Sequence, residues 1–200
     1  LFDTASETAR GLLLGEGKYK MFAWDKAGEQ AAFLADQDTS KAKERFFSLY
    51  YWKIGMDSAK VVVDTTCAAI PDGWIVSEHG AVSFSENGKR LLFRTAPRPV
   101  PEDTTIVDFE VAKVDVWSWK DPYLQPQQLK NRETELKRSY QAVMEIKKGR
   151  ITQLATAEMP DVILADRGDA DVALGRSDLP YRQLLSWDGG RYRDVYIVSV

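Results

Sequence analysis

The chain has very little of the chemistry that most active sites use. Cys67 is the only cysteine and His79 the only histidine among its 200 residues. A single cysteine excludes an internal disulfide, and one cysteine with one histidine excludes the usual zinc-ligand spacings. A Ser-His-Asp triad would have to use His79, and the sequence holds no Gly-x-Ser-x-Gly nucleophile elbow. We therefore predict no catalytic, cofactor-binding or metal-binding residue in this chain.

The chain also lacks a long apolar run and an excess of basic charge. It has 27 Lys and Arg residues and 30 Asp and Glu residues, so its formal net charge is −3. Nucleic acid is not an expected partner, because polyanion-binding proteins carry a clustered basic face. No apolar run approaches the ~20 residues that a membrane-spanning helix needs. Hydrophobic residues make up 44% of the chain, which is typical of a folded globular protein.

An internal repeat is the main positive feature, and Gly28, Gly88 and Gly168 anchor its three copies. Apolar residues recur six and four positions before each anchor and four and five positions after it: Phe22, Trp24, Ala32 and Phe33; Val82, Phe84, Leu92 and Phe93; Val162, Leu164, Val172 and Ala173. A polar turn separates the two apolar pairs in every copy. In the middle copy, Asn87-Gly88 is expected to supply two positive-φ positions. The third copy is degenerate.

Further short segments rich in β-branched and aromatic residues follow each anchor, separated by glycine turns. The strands predicted from them are 47–54, 60–65, 140–146, 151–154, 184–187 and 194–200. The anchors lie 60 and 80 residues apart, more than the ~40–45 residues of a simple propeller blade, so insertions are expected. Three prolines make 96–103 an extended loop, and 126–139 is predicted to be a surface helix with a Glu133–Lys137 pair.

These observations predict an all-β fold: a partial β-propeller of antiparallel four-stranded blades with a short helical insertion near 126–139. Residues 1–200 are interpreted as a fragment of one propeller domain, with about two full blades and partial blades beside them. Residues 11–20 read as the close of an earlier blade, so more chain is expected on both sides. Open strand edges tend to pair with other chains, and self-association through them is expected.

Several candidate sites have a structural alternative. Acid pairs that could serve a propeller glycosidase are Glu102 with Asp103, Asp108 with Glu110, and Asp169 with Asp171; most such pairs are expected on solvated surface. Of the tryptophans, Trp24 takes a repeat-core position, and Trp117 and Trp119 alternate as neighbours on one strand face would, so core packing is favoured over sugar binding. The Gly15–Lys18 segment lacks phosphate-loop spacing and is read as a hairpin turn.

One family resemblance rests on several segments of this sequence. Residues 82–93 (Val-Ser-Phe-Ser-Glu-Asn-Gly-Lys-Arg-Leu-Leu-Phe) resemble the blade-opening signature of propellers in prolyl oligopeptidase-type serine peptidases, and the Tol-system propeller protein uses a similar phrase. Residues 95–103, 107–121 and 123–129 narrow the likeness to large prolyl oligopeptidase-like peptidases of Bacteroidetes-type bacteria. The resemblance extends over roughly 19–200.

This resemblance implies a two-part enzyme in which a propeller covers the active site of an α/β-hydrolase domain on the same parent chain. The propeller would admit short or unfolded peptide substrates and exclude folded proteins, and a periplasmic or secreted location is implied. No residue of this sequence can be assigned to the family's Ser, Asp and His triad, because no matching motif is present. Dipeptidyl-peptidase relatives hold the substrate amine with adjacent glutamates, whereas Glu133 and Glu135 here are not adjacent and are read as a solvated face. The alternatives are a periplasmic protein-binding scaffold of the Tol-system type and a propeller glycosidase.

Overall fold

The computed structural model describes residues 2–3, 7–40, 45–100, 114 and 116–200. Its strands are β1 (Phe2–Asp3), β2 (Thr8–Ala9), β3 (Lys18–Trp24), β4 (Gln30–Asp36), β5 (Ser48–Lys53), β6 (Lys60–Val63), β7 (Trp74–Val76), β8 (Ser83–Phe84), β9 (Arg90–Pro97), β10 (Tyr140–Glu145), β11 (Arg150–Gln153), β12 (Asp161–Leu164), β13 (Val172–Ser177) and β14 (Asp194–Ser199). The helix α1 is Gln125–Leu136, and 3-10 helices form at Asp166–Gly168 and Leu179–Ser186.

The strands form three main antiparallel sheets that follow one another along the chain. The first sheet has the order β3-β4-β5-β6. In the second sheet the order is β11-β10-β9, and the other edge of β9 pairs with both β7 and β8. The third sheet has the order β12-β13-β14, and β1 pairs with β2 separately. Neighbouring strands in sequence are neighbours in space, as in the blades of a propeller.

The three anchor glycines occupy the same place in each sheet, the turn from its first to its second strand. Gly28, Gly88 and Gly168 have φ of 72°, 67° and 91°, a region that side chains with a Cβ avoid. In the first two turns the residue three positions earlier closes the turn. The Oδ1 of Asp25 and the Oγ of Ser85 each accept a hydrogen bond from the first backbone N–H of the following strand, at 2.9 and 3.1 Å.

Two details of the turns differ from the sequence expectation. Among the described residues of the middle turn only Gly88 has positive φ, so Asn87 contributes its side chain instead: its Oδ1 accepts the N–H of Lys89 at 2.9 Å. The four-residue loop needs only one left-handed position. In the third turn Asp166 and Arg167 also have positive φ, at 47° and 52°, which accounts for its degenerate sequence.

The sheets pack face to face. One apolar cluster fills the space between the first and second sheets: Ala32, Leu34, Phe47, Leu49, Val63, Val76, Val82, Leu91, Phe93, Ala142 and Met144. A smaller one, built on Leu92, Val143 and Leu154, joins the second sheet to the third. Consecutive antiparallel sheets stacked in chain order are the defining feature of a propeller. The chain is a partial β-propeller.

Most predicted strands are confirmed within three residues at their ends, but the one at 184–187 is wrong. Residues 184–186 belong to the 3-10 helix Leu179–Ser186 and Trp187 follows its end, whereas β14 pairs directly with β13 as the third strand of its sheet. The N–H of Tyr181 bonds to the carbonyl of Asp178, with Pro180 in the first turn where a missing N–H costs nothing. The interpretation of residues 11–20 as the close of an earlier blade is also wrong for residues 18–20. These residues begin β3, the first strand of the first sheet.

The helical insertion is confirmed, and α1 has no buried residue. Glu133 and Lys137 form the predicted pair at 3.3 Å. Tyr140 follows the helix, begins β10 and is buried. Trp117 and Trp119 do not lie on a strand, and both are exposed. The described helices include none long and apolar enough to cross a membrane.

Candidate functional site

All long connections leave the sheets at one end. The glycine turns occupy one end of each sheet, and the links from second to third strand, residues 37–47, 98–139 and 178–193, leave from the opposite end. We call this the connection end. Gln183 Nε2 donates to the carbonyl of Lys120 at 2.6 Å, which joins the third link to the second. The Arg98 guanidinium lies 4.4 Å from the Phe46 ring centre, which joins the second link to the first. The described parts of the three links therefore meet at this end of the sheets.

A cleft of about 730 Å³ at the connection end is lined by α1, by the residues just before it and by Arg182 of the Leu179–Ser186 helix. We call it the helix cleft. Its walls include Trp117, Tyr123, Leu129, Arg132, Glu135 and Arg182. Gln128 Nε2 donates to the carbonyl of Tyr123 at 2.8 Å and so holds the preceding loop against the helix. The walls combine aromatic and aliphatic side chains with a few charged groups, the mixture found in many ligand-binding clefts.

Two residues of the helix cleft are held in place by charge. The Arg182 guanidinium lies 5.1 Å from the centre of the Tyr123 ring and donates through Nε to Asp178 at 2.9 Å. Burial raises the pKa of the Tyr123 phenol above its ordinary value, and nearby charges act in both directions. A phenol that stays neutral over the physiological range acts as a hydrogen-bonding group rather than as a base.

Glu135 lines the helix cleft but is already paired. Its carboxylate accepts two hydrogen bonds from Arg138, the one from Nε at 2.7 Å. These hydrogen bonds lower the pKa of Glu135 and raise that of Arg138. Glu133 is bound to Lys137 and is not part of the cleft wall. The solvated-face interpretation therefore suits Glu133, whereas Glu135 is a fixed charge in the wall.

His79 lines a second cleft at this end, of about 600 Å³, together with Glu78, Arg45 and Tyr140. Its own backbone N–H donates to the Oγ of Ser77 at 3.2 Å. Within the described residues, no hydroxyl or carboxylate hydrogen-bonds to its imidazole. His79 therefore lies in the loop between β7 and β8, the two short strands that pair with β9. No Ser-His-Asp arrangement is formed there among the described residues.

The third acid pair has a structural task at the opposite end. Asp169 Oδ1 accepts the N–H of Asn87 at 3.1 Å, and Asp171 Oδ1 accepts from Arg90 at 2.5 Å. Both acids thus tie the third glycine turn to the second sheet. Glu102, Asp103, Asp108 and Glu110 lie outside the described residues. Across the described ranges no three His, Cys, Asp or Glu side chains group closely enough to hold a metal ion.

The remaining candidates also pack locally. Trp24 is half exposed and meets the buried Trp52 edge to face, with ring centres 6.4 Å apart. At Gly17 a Cβ would lie 2.4 Å from the carbonyl oxygen of Asp36, so this bend is glycine because of close backbone packing. Cys67 is a free thiol packed against the core between the first and second sheets.

No protein-family model matches the chain, and neither does any curated protein sequence. Among solved structures it is similar to TolB from Acinetobacter baumannii, at 14% identity and TM-score 0.41 over 98% of this chain and 33% of that one. It is similar to a prolyl endopeptidase from a study of inter-domain dynamics in catalysis and specificity, at 14% identity and TM-score 0.33 over 100% of this chain and 29% of that one. Prolyl oligopeptidase B from Galerina marginata matches at 11% identity and TM-score 0.28, over 92% of this chain and 26% of that one.

The chain thus spans about a third or less of the length of these structures. Its assignment as a partial propeller rests on its own sheet order and packing.

Sequence reasoning missed the polar groups that link successive glycine turns. Gln30, two residues after the first anchor, donates through Nε2 to the carbonyl of Gly88 at 3.0 Å. Arg90, two residues after the second anchor, donates to the carbonyls of Gly168, Asp169 and Ala170 at 3.0, 3.0 and 2.6 Å. We call these two side chains the turn staples. The sequence signal that could have revealed them is a polar residue two positions after the anchor glycine in each of the first two copies.

Proposed function

We propose that the chain is a non-catalytic propeller segment of a prolyl oligopeptidase-like serine peptidase. In this role it covers the hydrolase active site and limits access to short or unfolded peptides. The observation that carries the proposal is that the two ends of the sheets are built differently. The turn staples fix one end, and the long connections with their clefts occupy the other.

A rigid stack of sheets is suited to exclusion by size. The sheets stay together through the shared apolar cluster and through the bonds of Gln30 and Arg90. A folded protein cannot pass such a wall, whereas an extended peptide needs only a narrow path. In this proposal the bond-breaking groups belong to the hydrolase domain of the same parent chain, and the residues described above contribute shape alone. The resemblance of residues 82–93 and 95–103 to peptidase propellers supports this.

The test uses the complete parent protein and a fluorophosphonate probe, which labels active serine hydrolases. We expect labelling, rapid cleavage of short peptides, and no cleavage of a folded protein of the same cleavage-site sequence. Arg90→Ala in the complete protein should loosen the second and third sheets and raise cleavage of larger substrates relative to short ones. Absence of labelling, or equal cleavage of short peptides and folded proteins by the unmodified enzyme, would contradict the proposal.

A protein-binding scaffold is the second candidate, favoured by the exposed tryptophans of the connection end. Trp119 and Trp187 are 78% and 88% exposed. Tryptophan is enriched at protein interfaces, where it supplies much of the binding energy. Under this function Trp187→Ala should abolish capture of a partner protein, while the fluorophosphonate probe should label nothing. If the fluorophosphonate probe labels the protein and Trp187→Ala captures the partner protein as well as the unmodified protein does, the peptidase function is favoured.

A further inference from the structure

The helix cleft contains hydrogen-bonding groups that the chain itself does not use. Four charged side chains line it: Asp121, Arg132, Glu135 and Arg182. Glu135 is bound to Arg138, and Arg182 is bound to Asp178. The Oδ2 of Asp121 accepts hydrogen bonds from a backbone N–H and from a side-chain amide, at 3.0 and 3.3 Å. Each of these three charged groups therefore has its partner within the chain.

Arg132 differs from the other three charged residues of the cleft. Within the part of the chain that the structure describes, its guanidinium has no hydrogen-bond or ion-pair partner, and neither has the side-chain amide of the adjacent Asn131, which also lines the cleft. A guanidinium presents five N–H donors in a planar fork that fits a carboxylate. A side-chain amide both donates and accepts, as a peptide group does. Together the two side chains can bind a carboxylate and the peptide group beside it.

Apolar side chains complete the walls of the helix cleft. Leu129 lies three residues before Arg132 and Leu136 four residues after it, a spacing that places all three on one side of α1. Both leucines are exposed. Trp117 belongs to the loop before the helix, and its Nε1 donates to the carbonyl of Tyr123 at 3.3 Å, which orients the indole in the wall. The cleft volume of about 730 Å³ is in the range of pockets that hold small ligands.

We propose that the helix cleft binds the C-terminal end of a peptide whose last residue is large and apolar. The terminal carboxylate pairs with Arg132, the last side chain packs against Trp117 and Leu129, and the preceding peptide group bonds to Asn131. An apolar group that carries one negative charge is complementary to apolar walls that contain one unmatched guanidinium. This proposal does not depend on the function proposed above, because a peptide end can bind here whether or not the parent protein cleaves peptides.

Isothermal titration calorimetry of the 200-residue chain with a matched pair of peptides tests the proposal. The first peptide is acetyl-Gly-Ala-Phe with a free carboxyl group, and the second is the same peptide with a C-terminal amide. We expect the free acid to bind about tenfold more tightly, as for one charge-assisted bidentate pair. The net charge of the chain is −3, which opposes a general attraction of anions, so this preference reports a local contact.

Two substitutions on α1 assign the preference to one side chain. Arg132→Gln should remove it, so that acid and amide bind equally. Lys130→Gln is the matched control, since it removes an exposed positive charge two residues away that does not line the cleft, and it should keep the preference. Equal binding of the two peptides by the unmodified chain, binding of neither, or an unchanged preference in Arg132→Gln would overturn the proposal.

Trp117→Ala tests the apolar part of the site separately. It removes a contact with the last side chain and leaves the guanidinium in place, so both peptides should bind more weakly by the same factor. An unchanged affinity for both peptides would place the last side chain elsewhere and contradict the proposed position. Circular dichroism of each variant separates a lost contact from a lost fold.

Discussion

The two interfaces between neighbouring sheets are built by different means. Between the first and second sheets, large side chains such as Leu34, Phe47 and Phe93 are fully buried in one cluster. Between the second and third sheets the apolar cluster of the described residues is smaller: Leu92, Val143 and Leu154 are buried, and the residues of the third sheet packed against them are half-buried. The thinner interface instead has Arg90, whose guanidinium bonds to three backbone carbonyls and one carboxylate.

The difference shows two ways of holding a repeat together. Apolar burial stabilises in proportion to area and has little directional preference. Hydrogen bonds from a charged planar group contribute less in total but fix the position of their partners. The first interface therefore contributes most of the stability. In the second interface the hydrogen bonds of Arg90 fix the position of the third sheet, which has fewer apolar contacts. Substitutions at four positions test this contrast.

Phe93→Ala should have the largest effect. It removes a fully buried ring from the thick interface, and such truncations lower the free energy of unfolding by about 3–5 kcal/mol. Leu92→Ala, the neighbouring residue that faces the thin interface, should lower it by about 2 kcal/mol, near the bottom of the range for leucine. Urea denaturation followed by tryptophan fluorescence measures both. Equal losses would show that the two interfaces do not differ in apolar stabilisation.

Arg90→Ala should have an intermediate effect, confined to the third sheet. Loss of charged hydrogen bonds at a mostly buried side chain lowers stability by about 1.5–3 kcal/mol. Hydrogen exchange should speed up in β13 and stay slow in β4. Arg90→Lys should not restore protection, since an ammonium cannot match the planar fork. Gln30→Ala at the thick interface should cost about 1 kcal/mol; a larger cost there than for Arg90 would reverse the contrast.

Acidification should weaken the first glycine turn slightly more than the second. Burial raises the pKa of Asp25, but hydrogen bonds from the backbone and side chain of Gln30 and from neighbouring N–H groups outweigh it, so its pKa is below the ordinary 3.8. A depressed carboxyl pKa stabilises the fold above 3.8, and this contribution is lost as the pH falls through the folded-state value.

The middle copy supplies the control for this prediction. Asp25→Ser introduces the residue found at the equivalent position, Ser85, which closes its turn without a titratable group. The variant should keep the turn and lose that part of the acid sensitivity, as followed by unfolding between pH 5 and pH 2. An unchanged pH profile in the variant would show that Asp25 does not contribute to it.

Local chemistry made the repeat and most strands predictable. Glycine adopts the positive φ of many tight turns without steric cost, so a glycine within a short polar segment marks a turn and the anchors could be read one by one. The strand at 184–187 was mispredicted because a short apolar segment suits a strand or a helical turn equally well. Trp117 and Trp119 misled for the same reason, since alternation of two residues does not specify a strand.

The candidate site depended on contacts that no local pattern records. The helix cleft forms because Arg182, distant in sequence, meets α1 and the preceding residues 117–123 at one end of the sheets. Arg90 bonds to residues 78–81 positions away, and nothing in its own segment specifies them. Its polar character was visible, but its partner was not.

By itself, the sequence determined the turns, the order of the strands and the scarcity of catalytic groups, because these follow from backbone preferences and composition. Only the tertiary structure decided which faces are covered, that all long connections share one end, and that Asp169 and Asp171 bind the neighbouring sheet instead of a substrate. The reason is that burial and hydrogen-bond partners depend on how the sheets stack.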